Sequence, residues 1–169
     1  MDRKALIIFP DEWLQFSPTV INMHRCLTED GFDVTVLAAD NGCFRNDGLV
    51  DGLVKVNTSG IASRIARKTG RYRDFKFRRI CAVLDNLLKK QTGYELVIGV
   101  DAIGYCAARR RFDTAAFLSL EVEKGKYFQH ALQSGINHLI IQTEERKEYL
   151  IGSESDIPVS YIQNAPILP

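Results

Sequence analysis

Carboxylates and amides recur in this chain directly after apolar runs. Ala5-Leu6-Ile7-Ile8-Phe9 gives way to Pro10-Asp11-Glu12, and Leu96-Val97-Ile98-Gly99-Val100 to Asp101. Ala116-Phe117-Leu118-Ser119-Leu120 gives way to Glu121, and Leu139-Ile140-Ile141 to Gln142-Thr143-Glu144-Glu145. Carboxylates so placed can orient or deprotonate a hydroxyl, which makes Asp101 and Glu121 the candidate catalytic pair. The alternative for Asp101 is to cap a helix starting at Ala102, a role compatible with function. The alternative for Glu121 is plain exposure. Glu144 and Glu145 follow a threonine cap, in a first helical turn where the dipole favours acids.

The stretch from Pro10 to Ser17 is long for a strand-to-helix connection, and long loops in compact domains tend to be functional. Trp13 and Phe16 suit stacking on a sugar ring, with Asp11, Glu12 and Gln15 bonding its hydroxyls; the competing reading packs the aromatics onto the loop and leaves the acids solvated. A dinucleotide needs glycines in this turn so that backbone N–H groups can approach the pyrophosphate. Here the turn has none and carries two acids. No G-x-x-x-x-G-K-[ST] occurs, no G-x-S-x-G occurs, and the three histidines have no ligand spacing, so neither a P-loop, a serine hydrolase nor a metal site is expected.

Of 22 basic and 21 acidic residues in 169, eight Lys/Arg against one acid fall between Arg64 and Arg79, so the rest of the chain is net acidic. Ile61, Ile65, Tyr72, Phe75 and Phe77 interleave with these cations. Arg64, Arg67, Lys68, Arg71 and Arg73 are thus candidates for contact with a membrane leaflet or a phosphate-bearing acceptor, or form a solvated helix face with a loop. The net charge of +1 gives no general field for nucleic acid. Cys26, Cys43, Cys81 and Cys106 are scattered without a C-x-x-C pair, which reads as reduced cytosolic thiols. No apolar run approaches the ~18 residues of a membrane span. With a strand starting near the N-terminus, the expected location is cytoplasmic, with peripheral contact at the inner membrane face an open option.

The elements that must position these groups alternate in type. Strands are expected over Lys4–Phe9, Asp33–Ala39, Leu53–Val56, Glu95–Val100, Ala115–Leu120, Leu139–Ile141 and Pro158–Ile162. Helices are expected from Ser17-Pro18 to Gly31, over Tyr72–Lys90, Ala102–Arg111 and Lys124–Ser134, and for two turns from Thr143. Phe77, Ile80, Cys81, Leu84, Leu87 and Leu88 form one apolar stripe on the longest of them. This alternation predicts an α/β, Rossmann-like doubly wound, mostly parallel sheet of about seven strands with helices on both faces. Its strands' carboxyl ends, where open α/β sheets bind ligands, would share one edge. The domain is expected over residues 1–163. Asn164-Ala165-Pro166-Ile167-Leu168-Pro169 reads as a linker toward a second domain.

Leu96-Val97-Ile98-Gly99-Val100-Asp101-Ala102-Ile103-Gly104 resembles a segment of the N-terminal domain of group 1 (family 4) GT-B glycosyltransferases. Ser119-Leu120-Glu121, then Ile140-Ile141-Gln142-Thr143-Glu144-Glu145-Arg146, then Tyr161-Ile162-Gln163-Asn164-Ala165-Pro166, are similar to further segments of that family in the same order. The resemblance implies one half of a GT-B fold, the half that binds the acceptor. It also implies a nucleotide-sugar donor bound mainly by a second domain, retention of configuration, no metal, and work on cell-surface glycans or lipid-linked acceptors. The first loop departs from the family in carrying Asp11 and Glu12 where glycines are common, and Asp101 stands where many relatives have histidine. Under this reading Asp101 and Glu121 hold the acceptor hydroxyl. Pro10, Asp11, Glu12, Trp13, Gln15, Phe16, Gln142, Glu145 and Asn164 bind the acceptor, no cofactor is needed, and this chain alone transfers no sugar. The competing reading is a non-catalytic sugar- or nucleotide-binding module acting through a partner; a flavodoxin-like or dinucleotide oxidoreductase is a third.

Overall fold

The computed structural model describes residues 3–43 and 48–162. Seven strands form one sheet: β1 (Arg3–Phe9), β2 (Phe32–Asp40), β3 (Leu53–Asn57), β4 (Tyr94–Val100), β5 (Ala116–Leu118), β6 (Leu139–Ile141) and β7 (Val159–Tyr161). All pairings are parallel and the order is β3-β2-β1-β4-β5-β6-β7. The chain builds outward from β1 in one direction, then returns to lay β4 on the other side of β1. Parallel strands are covered on both faces, which is why β1 is buried from Ala5 to Phe9. Leu6 and Ile8 enter one core, and Ala5, Ile7 and Phe9 the other.

The helices are α1 (Pro18–Glu29), α2 (Ile61–Lys68), α3 (Tyr72–Leu88), α4 (Asp101–Arg109), α5 (Lys126–Gln133) and α6 (Glu144–Ile151), with a 3-10 turn over Leu14–Phe16. Residues of α3 to α6 pack into the core of Leu6 and Ile8, and α1 packs through Val20, Ile21, Met23 and Leu27 against the other. The doubly wound α/β architecture expected from the sequence is the one observed.

Two local differences have physical causes. Ala115–Leu120 is expected to be a strand, yet pairing ends at Leu118 and Ser119, because the next two backbone N–H groups turn away to the Asp101 carboxylate. Asp101 does not cap a helix starting at Ala102; it is the first residue of α4, with φ 48. It is the one non-glycine residue at positive φ among those described, and aspartate tolerates that region better than most. Ser17 holds the N-cap position of α1 through its carbonyl, which accepts from Val20 and Ile21 at 3.1 and 3.2 Å, without a side-chain bond.

Helix α4 lies against the middle of the sheet through glycines. A Cβ on Gly104 would press into the Ile8 carbonyl oxygen, and one on Gly99 into the Tyr105 backbone. Side chains at these positions would push α4 off β1 and β4. We therefore expect Gly104→Ala to cost about 2–3 kcal/mol by overpacking, read as a lower urea midpoint with an unchanged m-value.

Candidate functional site

The direction of chain winding reverses between β1 and β4, and in open α/β sheets the crevice beyond the carboxyl ends of such a strand pair is the usual ligand site. Asp11 follows β1 and Asp101 follows β4, so the two stand on either side of that crevice. A cavity of about 200 Å³ is lined by Pro10, Asp11, Trp13, Arg73, Lys76, Asp101, Phe117, Glu121 and Glu123, among others. A wider one of about 580 Å³ adjoins it, sharing Asp11, Trp13, Asp101 and Glu121 and adding Phe16, Ser17, Thr19, Leu120 and Gln142.

Asp101 is the most heavily constrained of these groups. Its Oδ1 accepts the backbone N–H groups of Leu120 and Glu121, each at 2.8 Å. That clamp joins the end of β4 to the end of β5. Its second oxygen has no partner among the described residues, and the residue lines both cavities. Part of its surface reaches the cavity mouth, yet protein crowds the rest, and burial pushes its pKa up to about 7. The two N–H bonds act against that rise, and the charges of Asp11 and Glu121 add to it. Glu121 is also raised, first by burial and then by Asp11 and Glu123, with Lys76 and Arg73 opposing.

The clamp continues to β6. Arg146, in α6, donates to the Leu120 carbonyl at 3.2 Å and to the Gln142 Oε1. With its oxygen held there, the Gln142 Nε2 is buried and meets no acceptor among the described residues. A buried amide nitrogen without a partner costs about 1–3 kcal/mol, and this one belongs to a side chain lining the wider cavity. The carboxylates of Asp101 and Glu121 are the acceptors that both cavities share.

The chain matches no protein-family model and has no significant match among curated proteins.

On the other side of the crevice, adjacent acids take opposite directions. Lys76 Nζ donates to Asp11 Oδ1 at 2.7 Å, with both side chains nearly buried. Glu12 instead accepts from Thr58 Oγ1 at 3.2 Å, from Arg67 at 3.4 Å and from the Tyr72 hydroxyl. Glu12 thus lies in a polar knot beyond β3 and lines neither cavity. Arg73 forms a two-pronged pair with Glu123 at the small cavity, which lowers the Glu123 pKa.

Of the residues singled out in the sequence, Pro10, Asp11, Trp13, Phe16, Asp101, Glu121, Gln142 and Arg73 line the two cavities. Gln15 lines neither. Glu145 is exposed in the first turn of α6, where its carboxylate bonds the Thr143 side chain and its pKa falls. Arg64, Lys68 and Arg71 are exposed and line neither cavity, and Asn164, with the expected 164–169 linker, lies outside the described residues. Lys76 and Glu123 were not anticipated. Lys76 had a readable mark: it sits four residues before Ile80 and eight before Leu84, on the buried stripe of α3. A lysine on such a stripe requires a buried partner. Glu123 has no comparable mark, since only the fold brings it to Arg73. Among the described residues no group of three or more His, Cys, Asp or Glu is placed to hold a metal.

The Asp101 pKa has a consequence for stability. Its folded value lies above its unfolded one, so wild-type stability falls as pH rises from about 4 to 7 and this loss is complete above 7. Asparagine keeps the Oδ1 acceptor and tolerates the backbone angle. Asp101→Asn should therefore match wild type near pH 4 and exceed it at pH 8, by at most about 4 kcal/mol, in urea titrations at the two pH values.

Proposed function

We propose that this chain is the acceptor-binding half of a retaining glycosyltransferase of GT-B type, which moves a sugar from a nucleotide-sugar donor to a glycan or lipid-linked acceptor. The observation that carries the reading is the Asp101 clamp at the switch point. One carboxylate oxygen is fixed by backbone, the other has no partner among the described residues, the residue lines both cavities, and burial brings its pKa to about 7. Glu121, Gln142 and the aromatic residues Trp13 and Phe16 line the same space. Polar groups for hydroxyls beside aromatic faces for the ring suit a sugar. The order of sequence segments that resemble the family supports the same assignment.

In the proposed step the acceptor hydroxyl lies between Asp101 and Glu121. As its oxygen bonds the anomeric carbon of the donor sugar, the bond from that carbon to the nucleoside diphosphate breaks and the diphosphate leaves with the electron pair. The hydroxyl proton passes to Asp101, whose pKa near the working pH favours such a transfer. The donor is held mainly by a second domain facing this one, so both halves are needed to position the reacting atoms.

Trp13 is the sole tryptophan and lines both cavities, so its fluorescence reports on the site directly. Neutral oligosaccharides should shift or quench it saturably, and Glu121→Gln and Gln142→Ala should each weaken that binding about tenfold. A nucleotide sugar alone should leave the emission unchanged. The reverse ranking, with nucleotides bound and glycans ignored, would defeat the acceptor reading and favour a nucleotide-binding module.

A further inference from the structure

The basic segment is divided by the fold. Arg67 and Arg73 turn to Glu12 and Glu123, at or beside the site. Arg64, Lys68 and Arg71 are exposed and make no side-chain bond or ion pair among the described residues. They share a surface with Ile61 and Ile65, which are 75% and 57% exposed and number among the few large apolar side chains left in solvent. Helix α2 buries Ser63 and Ala66, so Ile61, Arg64, Ile65 and Lys68 fall on its outer side at spacings of three and four. Between α2 and α3 lies a groove of about 620 Å³, lined by Ile65, Phe75, Arg71 and Arg78, among others. The one carboxylate lining it, Asp74, is engaged by Tyr127 at 2.7 Å and Lys126 at 3.2 Å.

We propose that the outer face of α2, with the adjoining α2–α3 groove, docks on an anionic lipid leaflet, Ile61 and Ile65 entering the acyl boundary while Arg64, Lys68 and Arg71 meet lipid phosphates. Apolar side chains interleaved with unpaired cations match the chemistry of that boundary. Charge complementarity selects it over a neutral surface. Because the rest of the chain is net acidic, an anionic leaflet favours approach by this face over the remainder taken together. The docked face is close to the crevice: α2 begins just after the carboxyl end of β3, and its Arg67 touches Glu12, next to cavity-lining Asp11 and Trp13. A leaflet on this face thus holds the site at a membrane surface, whatever ligand fills the site. The inference does not depend on sugar transfer.

The test is sedimentation of the chain with vesicles of phosphatidylcholine alone and with about one third phosphatidylglycerol. Wild type should pellet with the anionic vesicles only, and release as salt rises and the screening length falls below ~8 Å. Arg64→Gln with Lys68→Gln should lower partitioning about thirtyfold. Ile61→Ser with Ile65→Ser, which leaves every charge in place, should lower it about tenfold or more. Both pairs are on the surface, and unchanged circular dichroism and urea midpoints confirm folding. Absence of vesicle binding, or equal binding to neutral vesicles, would overturn the proposal. So would full binding by the serine pair, which would reduce the face to a phosphate or polyanion site. A concentration-dependent dimer abolished by the same substitutions would assign the face to a second copy of this chain and overturn it too.

Discussion

The two hydrogen bonds from the Leu120 and Glu121 backbone to one oxygen of Asp101 organise the carboxyl edge of the sheet. They end β5 early, since N–H groups given to a carboxylate cannot continue a ladder. They hold Asp101 in a left-handed backbone conformation at the tightest point of the strand-to-helix turn. Such strain costs of order 1–3 kcal/mol and persists only where surroundings over-determine it. Here α4 supplies that constraint, pressed onto β1 and β4 at Gly104 and Gly99. Arg146 then ties the Leu120 carbonyl to Gln142. Three successive strand ends are thereby stitched into one wall, and the second Asp101 oxygen is left without a partner among the described residues.

The opposite wall is built from ion pairs instead. Burying Lys76 with Asp11 removes two charges from water, and the mutual attraction of such pairs often only offsets the desolvation cost. Its effect is best understood as positional. Asp11 is fixed toward the crevice and its charge is partly neutralised there, which moderates its repulsion of Asp101 and Glu121. Glu12, pointing the other way, anchors the same loop to Thr58, Arg67 and Tyr72. A loop of eight residues with two consecutive buried acids is thus rigid at its base, while Trp13 and Phe16 remain 38% and 65% exposed at its rim.

This division explains what could be read in the sequence. Strands buried on both faces must be continuous apolar runs, so the sheet, its parallel direction and the shared edge were legible, and with them the meeting of Asp101, Glu121, Gln142 and Trp13. Partner choice was not. Asp11 and Glu12 are neighbours of the same chemical type, and only contacts with residues 46 to 65 positions away distinguish them. The basic run likewise looked uniform, whereas the fold pairs Arg67 and Arg73 with Glu12 and Glu123 and leaves Arg64 and Lys68 unpaired among the described residues. Asp101 as a plain helix cap was a reasonable local reading that a non-local acceptor role displaced.

The resulting electrostatics bear on which ligand the crevice suits. Both cations that line the small cavity, Lys76 and Arg73, are already paired with carboxylates. What remains unpaired is acidic: the second oxygen of Asp101, and Glu121 with its raised pKa. A phosphate entering here would find no free cation and two groups that repel it, each gaining further proton affinity as it approached. A hydroxyl meets the opposite situation, because it donates to a carboxylate without adding charge. With Asp101 titrating near neutrality, the same oxygen can accept a hydrogen bond when ionised and hold a proton when not. The proposed acceptor role rests on subtraction: once the internal pairs are satisfied, the groups left over are of a kind that suits an uncharged alcohol better than a phosphate.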